Sequence, residues 1–159
     1  MIVDSLHKLE AIVAERQNAG EKIVFTNGVF DLVHVGHLRY LADAKALGDA
    51  LVVGVNSDSS VRRLKGPLRP LIEEAERAEL LDNLKSVDYV YIFDSDTPVP
   101  VVAAVQPAIY AKGGDYTVAT LPESPVVHAY GGEVVILGFT PGKSSSALVE
   151  TISERYGNR

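Results

Sequence analysis

Two rhythms of apolar residues alternate along this chain. Near-continuous, β-branched-rich runs at about 22–26, 50–56, 87–93, 108–112 and 133–137 read as strands covered on both faces. Between them the apolar positions fall at helical spacing. Leu6, Leu9, Ile12 and Val13 mark a helix over 4–19, capped by Asp4 or Ser5 and ended by Gly20. Leu38, Leu41, Ala42 and Leu47 mark a second, stopped by Gly48. A short helix runs to about Leu64 behind the capping groups of Asn56–Ser59. Another spans 73–85, with Ala78, Leu81 and Leu84 inward and Arg77 to one side. Asp94–Pro98 reads as a helix entry, and a loop over 117–125 leads to a short helix ending near Tyr130. Pro141–Ser146 opens the last helix, with Leu148, Val149 and Ile152 on one face. Strands alternating with helices at this spacing predict an α/β fold: a doubly wound, five-stranded parallel sheet with helices on both faces, in one domain over 1–159.

Ligands on such sheets bind beyond the carboxyl ends of the strands, where strand order reverses. Four segments fall there: the turn holding His34 and His37, Asn56–Asp58, Lys112–Tyr116 and Pro141–Ser146. The first is the densest in chemistry. Asn27 to His37 joins a buried strand to a helix start, where unpaired N–H groups and the positive end of the dipole favour an anion. His34 and His37, three residues apart, can face one side of that start. Gly36 between them lets a phosphate approach the backbone. Taken singly, a histidine here is more often a cap or a surface residue.

Composition narrows the class. Fifteen Lys and Arg against twenty-one Asp and Glu leave a net charge of −6, the reverse of a general nucleic-acid binder. Phosphate chemistry would therefore need clustered cations. Arg62, Arg63, Lys65 and Arg69 supply four within eight residues, broken by Pro67 and Pro70. Cysteine is absent, which removes disulfides, thiol catalysis and cysteine–zinc sites. No basic leader precedes an apolar core and no run reaches membrane-spanning length, so a cytoplasmic location without a membrane partner is expected.

The string Gly28-x-Phe30-Asp31-x-x-His34-x-Gly36-His37 fixes six residue types in ten positions. It is neither a dinucleotide fingerprint nor a P-loop. It resembles the signature of the cytidylyltransferase-like nucleotidyltransferases, whose fold is Rossmann-like and doubly wound. Within them the chain looks most like the heptose 1-phosphate adenylyltransferases. The strings that carry this are Phe25 to His37, Val55-Asn-Ser-Asp, Val61-Arg-Arg-Leu-Lys-Gly, Arg69-Pro70 and Lys112-Gly-Gly-Asp-Tyr. The arginine that glycerol-3-phosphate cytidylyltransferases carry before the last helix reads Phe139 or Thr140 here, and Ser144–Ser146 stands where the heptose enzymes have Ser-Thr-Thr.

The resemblance implies transfer of AMP from ATP, with Mg²⁺, to a heptose 1-phosphate, releasing pyrophosphate. It also implies a homodimer and gives His34 and His37 the phosphate-donor role. Lys65 is the candidate mobile cation. Thr26, Asn27, Gly28, Phe30, Asp31, Gly36, Lys112, Gly113, Asp115, Ser144, Ser145 and Ser146 are the nucleotide candidates. Asn56, Asp58, Arg69 and Tyr116 are the acceptor candidates. Two readings of Asp31 stay open: it braces the turn or it helps to hold Mg²⁺, with bracing favoured. Phe30 is expected to pack rather than stack. Mg²⁺ is expected to ride mainly on the triphosphate. The rivals are transfer to another acceptor, such as glycerol 3-phosphate or FMN, and a nucleotide-binding module without turnover.

Overall fold

The computed structural model describes residues 1–114, 116–138 and 145–157. Six strands form one sheet: β1 (Ile2–Val3), β2 (Ile23–Gly28), β3 (Ala50–Asn56), β4 (Tyr89–Phe93), β5 (Ile109–Gly113) and β6 (Glu133–Leu137). Their spatial order is β1-β4-β3-β2-β5-β6, and every pairing is parallel. The expected five strands are all present. The count is corrected to six by β1, which pairs Ile2 and Val3 with Val90 and Tyr91. Two residues are too short a run to show any alternation, so only pairing reveals it as a strand.

Seven helices cover the sheet: α1 (Leu6–Asn18), α2 (Val35–Lys45), α3 (Asp58–Lys65), α4 (Glu74–Asp82), α5 (Val99–Val105), α6 (Ser124–Ala129) and α7 (Ser145–Tyr156). Leu9 and Val13 of α1, Val101, Val102 and Val105 of α5 and Val127 of α6 pack on one face with Ile23 and Phe25. Leu41 and Ala44 of α2 and Ala78 and Leu81 of α4 pack on the other with Val24 and Val53. Successive residues of a strand point to opposite faces, so β2 feeds both cores. All seven residues of β3 are buried, as its unbroken apolar run requires.

Two helix faces differ from the sequence reading. In α2 the inward stripe is His37, Leu41 and Ala44, while Leu38 is 43% exposed. Two apolar stripes one residue apart fit the same period, and packing on the sheet selects one. In α4, Arg77 does not sit at the side: it is 1% exposed. Its guanidinium donates to the carbonyls of Val29 (2.5 Å), Asn56 (2.8 Å) and Ile72 (2.9 Å), and to Asp58 Oδ1 (2.8 Å). These bonds tie α4 to the segments that follow β2 and β3.

The chain winds from β2 through β3 to β4 on one side, then crosses to β5 and β6 on the other. Strand order therefore reverses between β2 and β5, and a crevice opens there at the carboxyl ends.

Candidate active site

A cavity of about 300 Å³ occupies that crevice. The turn after β2, the start of α2, the end of β5, Lys65 of α3 and the first residues of α7 line it. The turn is shaped by small and strained positions. A Cβ on Gly28 would meet the Phe30 ring at 3.0 Å, and Phe30 itself takes φ +52°, which costs a non-glycine residue about 1–2 kcal/mol. Phe30 is buried, and its ring meets His37 edge-on with centroids 5.4 Å apart. It packs beneath the imidazole, as expected.

His34 is the N-cap of α2. Its Nδ1 accepts the Gly36 N–H at 3.1 Å, and Nδ1 of His37 accepts the His34 N–H at 3.3 Å. The two imidazoles thus form a reciprocal capping box. Their centroids lie 4.0 Å apart. Because each Nδ1 accepts, the proton of each neutral ring belongs on Nε2. Burial, assisted by the nearby His34 and Lys65, pushes the His37 imidazole down to about 4. His37 is therefore neutral at physiological pH before any anion arrives.

Tyr40, one turn further along α2, lines the cavity and was missed in the sequence reading. Its hydroxyl lies 2.5 Å from Thr26 Oγ1 and donates to the Ala111 carbonyl at 3.1 Å. Burial pushes it up to about 12, so it stays a phenol. A Cβ on Gly113 would meet the Tyr40 ring at 2.9 Å, so this position must be glycine for α2 to close on β5. The available signal was spacing: Tyr40 lies three residues after His37 and shares its face.

The structure brings Asn27, Gly28, Phe30, His34, Gly36 and His37 into the lining. Lys65, Lys112, Gly113, Ser145 and Ser146 join them. Ser145 Oγ also donates to the Leu32 carbonyl at 2.9 Å, which ties α7 to the turn. Asp115 and Ser144 lie outside the described residues.

Six candidates are not in the lining. Thr26 is fully buried and its hydroxyl is taken by Tyr40. Asp31 is 2% exposed: Oδ2 accepts from Arg69 Nε at 2.5 Å, and Oδ1 accepts the Leu71 and Ile72 N–H groups at 2.7 and 2.9 Å. Both its oxygens are spent on bracing, and Arg69 is spent with them. Asn56 Nδ2 donates to Ser60 Oγ at 3.0 Å, and Asp58 holds Arg77. The end of β3 lies one strand away from the crevice, which is why these two face a different environment from the histidines. Tyr116 is 50% exposed, with its ring centre 5.8 Å from Lys112 Nζ. Among the described residues no three His, Asp or Glu side chains gather as a metal site, and no helix is long and apolar enough to cross a membrane.

A parallel sheet with a histidine-capped helix at its switch point, and lysines converging on it from two other strands' ends, defines a nucleotidyltransferase domain. The chain belongs to the cytidylyltransferase-like family, whose model matches residues 25–151. It is 50% identical over 155 residues to the bifunctional protein HldE of Geobacter metallireducens, covering 98% of this chain and 32% of that protein. It is 52% identical over 147 residues to that of Pelobacter propionicus, covering 92% of this chain and 30% of the relative. The chain thus spans about a third of the length of the curated relatives it matches. A solved lipopolysaccharide core biosynthesis protein from Thermoplasma volcanium superposes with a TM-score of 0.61 at 33% identity, over 76% of this chain and 98% of that one. The pantoate–β-alanine ligase of Francisella tularensis shares the fold alone, with a TM-score of 0.60 at 13% identity over 92% of this chain and 69% of that one.

Proposed function

We propose that this chain transfers AMP from ATP to a heptose 1-phosphate, giving ADP-heptose and pyrophosphate. The observation that carries the chemistry is the stacked, reciprocally capped pair His34 and His37 at the mouth of α2, facing a cavity that also receives Lys65 and Lys112. The choice of adenine and of a heptose is supported by about 50% identity to HldE proteins and by likeness to a lipopolysaccharide core biosynthesis protein.

An oxygen of the sugar phosphate attacks the α-phosphorus of ATP. The bond from that phosphorus to the bridging oxygen breaks, and pyrophosphate leaves. The attacking oxygen already bears charge, so no strong base is required. The work is positioning and electrostatic stabilisation. The Nε2–H groups of the histidines and the open N–H groups of α2 are aimed where charge develops on the phosphoryl oxygens. Lys65 stands exposed at the end of α3, where its long side chain can follow the phosphates. Asp31 has no oxygen to spare, so Mg²⁺ would be carried by the triphosphate, whose charge it would neutralise.

This reading extends to a cytoplasmic homodimer without a nucleic-acid partner. A negative net charge and the exposed apolar residues Leu148, Ile152 and Tyr156 along α7 support it. The test is pyrophosphate release with ATP or CTP, Mg²⁺, and each of heptose 1-phosphate, glycerol 3-phosphate and FMN. Release with ATP and heptose 1-phosphate alone is expected. Faster turnover with CTP or with another acceptor would overturn the assignment, and ATP binding without turnover on any acceptor would favour a module that only binds.

A further inference from the structure

One buried charge beside the cavity has no part in the phosphate chemistry above. Glu123, at the N-cap of α6, is 3% exposed. Its Oε2 is wholly enclosed and has no hydrogen-bond partner. A carboxylate so placed is costly unless an opposite charge answers it. Its neighbours are the Tyr110 hydroxyl and, within electrostatic reach, the Lys112 ammonium.

Those two residues meet on Asn27. The Tyr110 hydroxyl donates to Asn27 Oδ1 at 2.7 Å, and Lys112 Nζ approaches the same oxygen at 3.5 Å. With Oδ1 serving two donors, the amide is oriented and its Nδ2 hydrogens are left for the cavity. Asn27 and Lys112 line the cavity, whereas Glu123 stands behind its wall.

We propose that Glu123 is a positioning residue for nucleotide transfer: its carboxylate holds the Lys112 ammonium beside Asn27 and, through Tyr110, fixes the amide that the nucleotide meets. This rests on the reading of the cavity as a triphosphate site. Burial weakens the proton on Lys112, and Glu123 works against that loss. The other groups around Lys112 do not replace Glu123. Tyr116 and Tyr40 are phenols, His34 and His37 are imidazoles, and Lys65 is a second cation. Their charges are zero or positive over the neutral range, so Glu123 supplies the negative one.

The test is Glu123→Gln, read by an NMR titration of Lys112 in ¹³C-lysine-labelled protein and by the pH profile of KM for ATP. Lys112 is expected to lose its proton about one pH unit earlier, the low end for an adjacent opposite charge. KM for ATP should rise about tenfold on the alkaline side, where Lys112 is neutral in the variant and charged in the parent. Below that range kcat should stay within about twofold, because Glu123 touches no reacting atom. Glu123→Asp should restore both readouts. A Lys112 titration unmoved in Glu123→Gln overturns the proposal, as does a moved titration with ATP KM unchanged at every pH. A protein that binds no ATP in either form fails the functional reading, and the Lys112 titration then still decides the pairing. If Glu123→Gln does not fold, Tyr110→Phe removes the link while keeping the carboxylate. ATP KM should then rise severalfold at all pH, and an unchanged KM overturns the role of Tyr110.

Discussion

Nδ1 of His37 accepts the backbone N–H of His34 at 3.3 Å, so one ring caps the helix turn on which the other is mounted. Stability and chemistry are therefore joined at this pair, and substitutions must separate them. His34→Ala removes a cap worth about 1 kcal/mol as well as a ring. His34→Asn keeps a capping acceptor. Both variants are expected to lower kcat by about 10²–10³, the loss of one donor to a developing charge. Only the alanine variant should lower Tm. Steady-state kinetics alongside thermal melts will check this; full turnover in His34→Asn would remove the ring from the chemistry.

His37 is held neutral by burial and by neighbouring positive groups. Its titration in the free protein should centre near 4 and move upward when a non-hydrolysable triphosphate binds, because the anion favours the imidazolium. The sign for stability follows. Between the ordinary value of 6.5 and about 4 the unfolded chain binds more protons than the folded one. This residue's contribution is thus fully present above about 6.5 and is lost as pH falls through that window. Proton NMR of the ring, with and without nucleotide, reads the first effect. Urea midpoints at pH 7 and pH 5 read the second.

Asp31 distinguishes bracing from metal binding. Asp31→Asn loses the charge partner of Arg69 and weakens two backbone bonds. Stability is expected to fall by about 2–4 kcal/mol, with the Mg²⁺ concentration for half-maximal activity unchanged. A shift of that Mg²⁺ requirement by tenfold or more would return Asp31 to the metal.

Arg77→Leu should destabilise the fold by about 3–5 kcal/mol in chemical denaturation, because Asp58 loses its partner and three carbonyls lose their donor. Arg77→Lys should recover little of this, since one ammonium cannot span four acceptors in a planar fork. Full recovery by lysine would show that charge alone, not geometry, matters at this position.

Lys65 is exposed and ends its helix, so it can be removed without unfolding anything. Lys65→Ala is expected to leave Tm within about 1 °C and to lower kcat/KM for ATP by about tenfold or more, as for a charge-assisted contact to phosphate. Unchanged kinetics would make it a solvated surface cation.

Much of this protein can be read from its residues alone. Apolar runs and helical periods set the five main strands, the parallel winding and the end of the sheet where ligands bind. The string from Gly28 to His37 marks the turn, because a strand followed by a helix start forces its side chains to the strand's carboxyl end. Proximity across the sheet was decided only in three dimensions. Strand order places the crevice between β2 and β5, which admits Lys112 and leaves Asn56 and Asp58 one strand away. The choice between adjacent apolar stripes on α2 brought Tyr40 in and turned Leu38 out. Burial turned Arg77 from a surface charge into a tie between helix and sheet, and it turned Asp31 and Arg69 into a brace. Period and composition are local properties that a chain carries with it. Which polar group answers which buried charge depends on atoms tens of residues apart, and only packing brings them together.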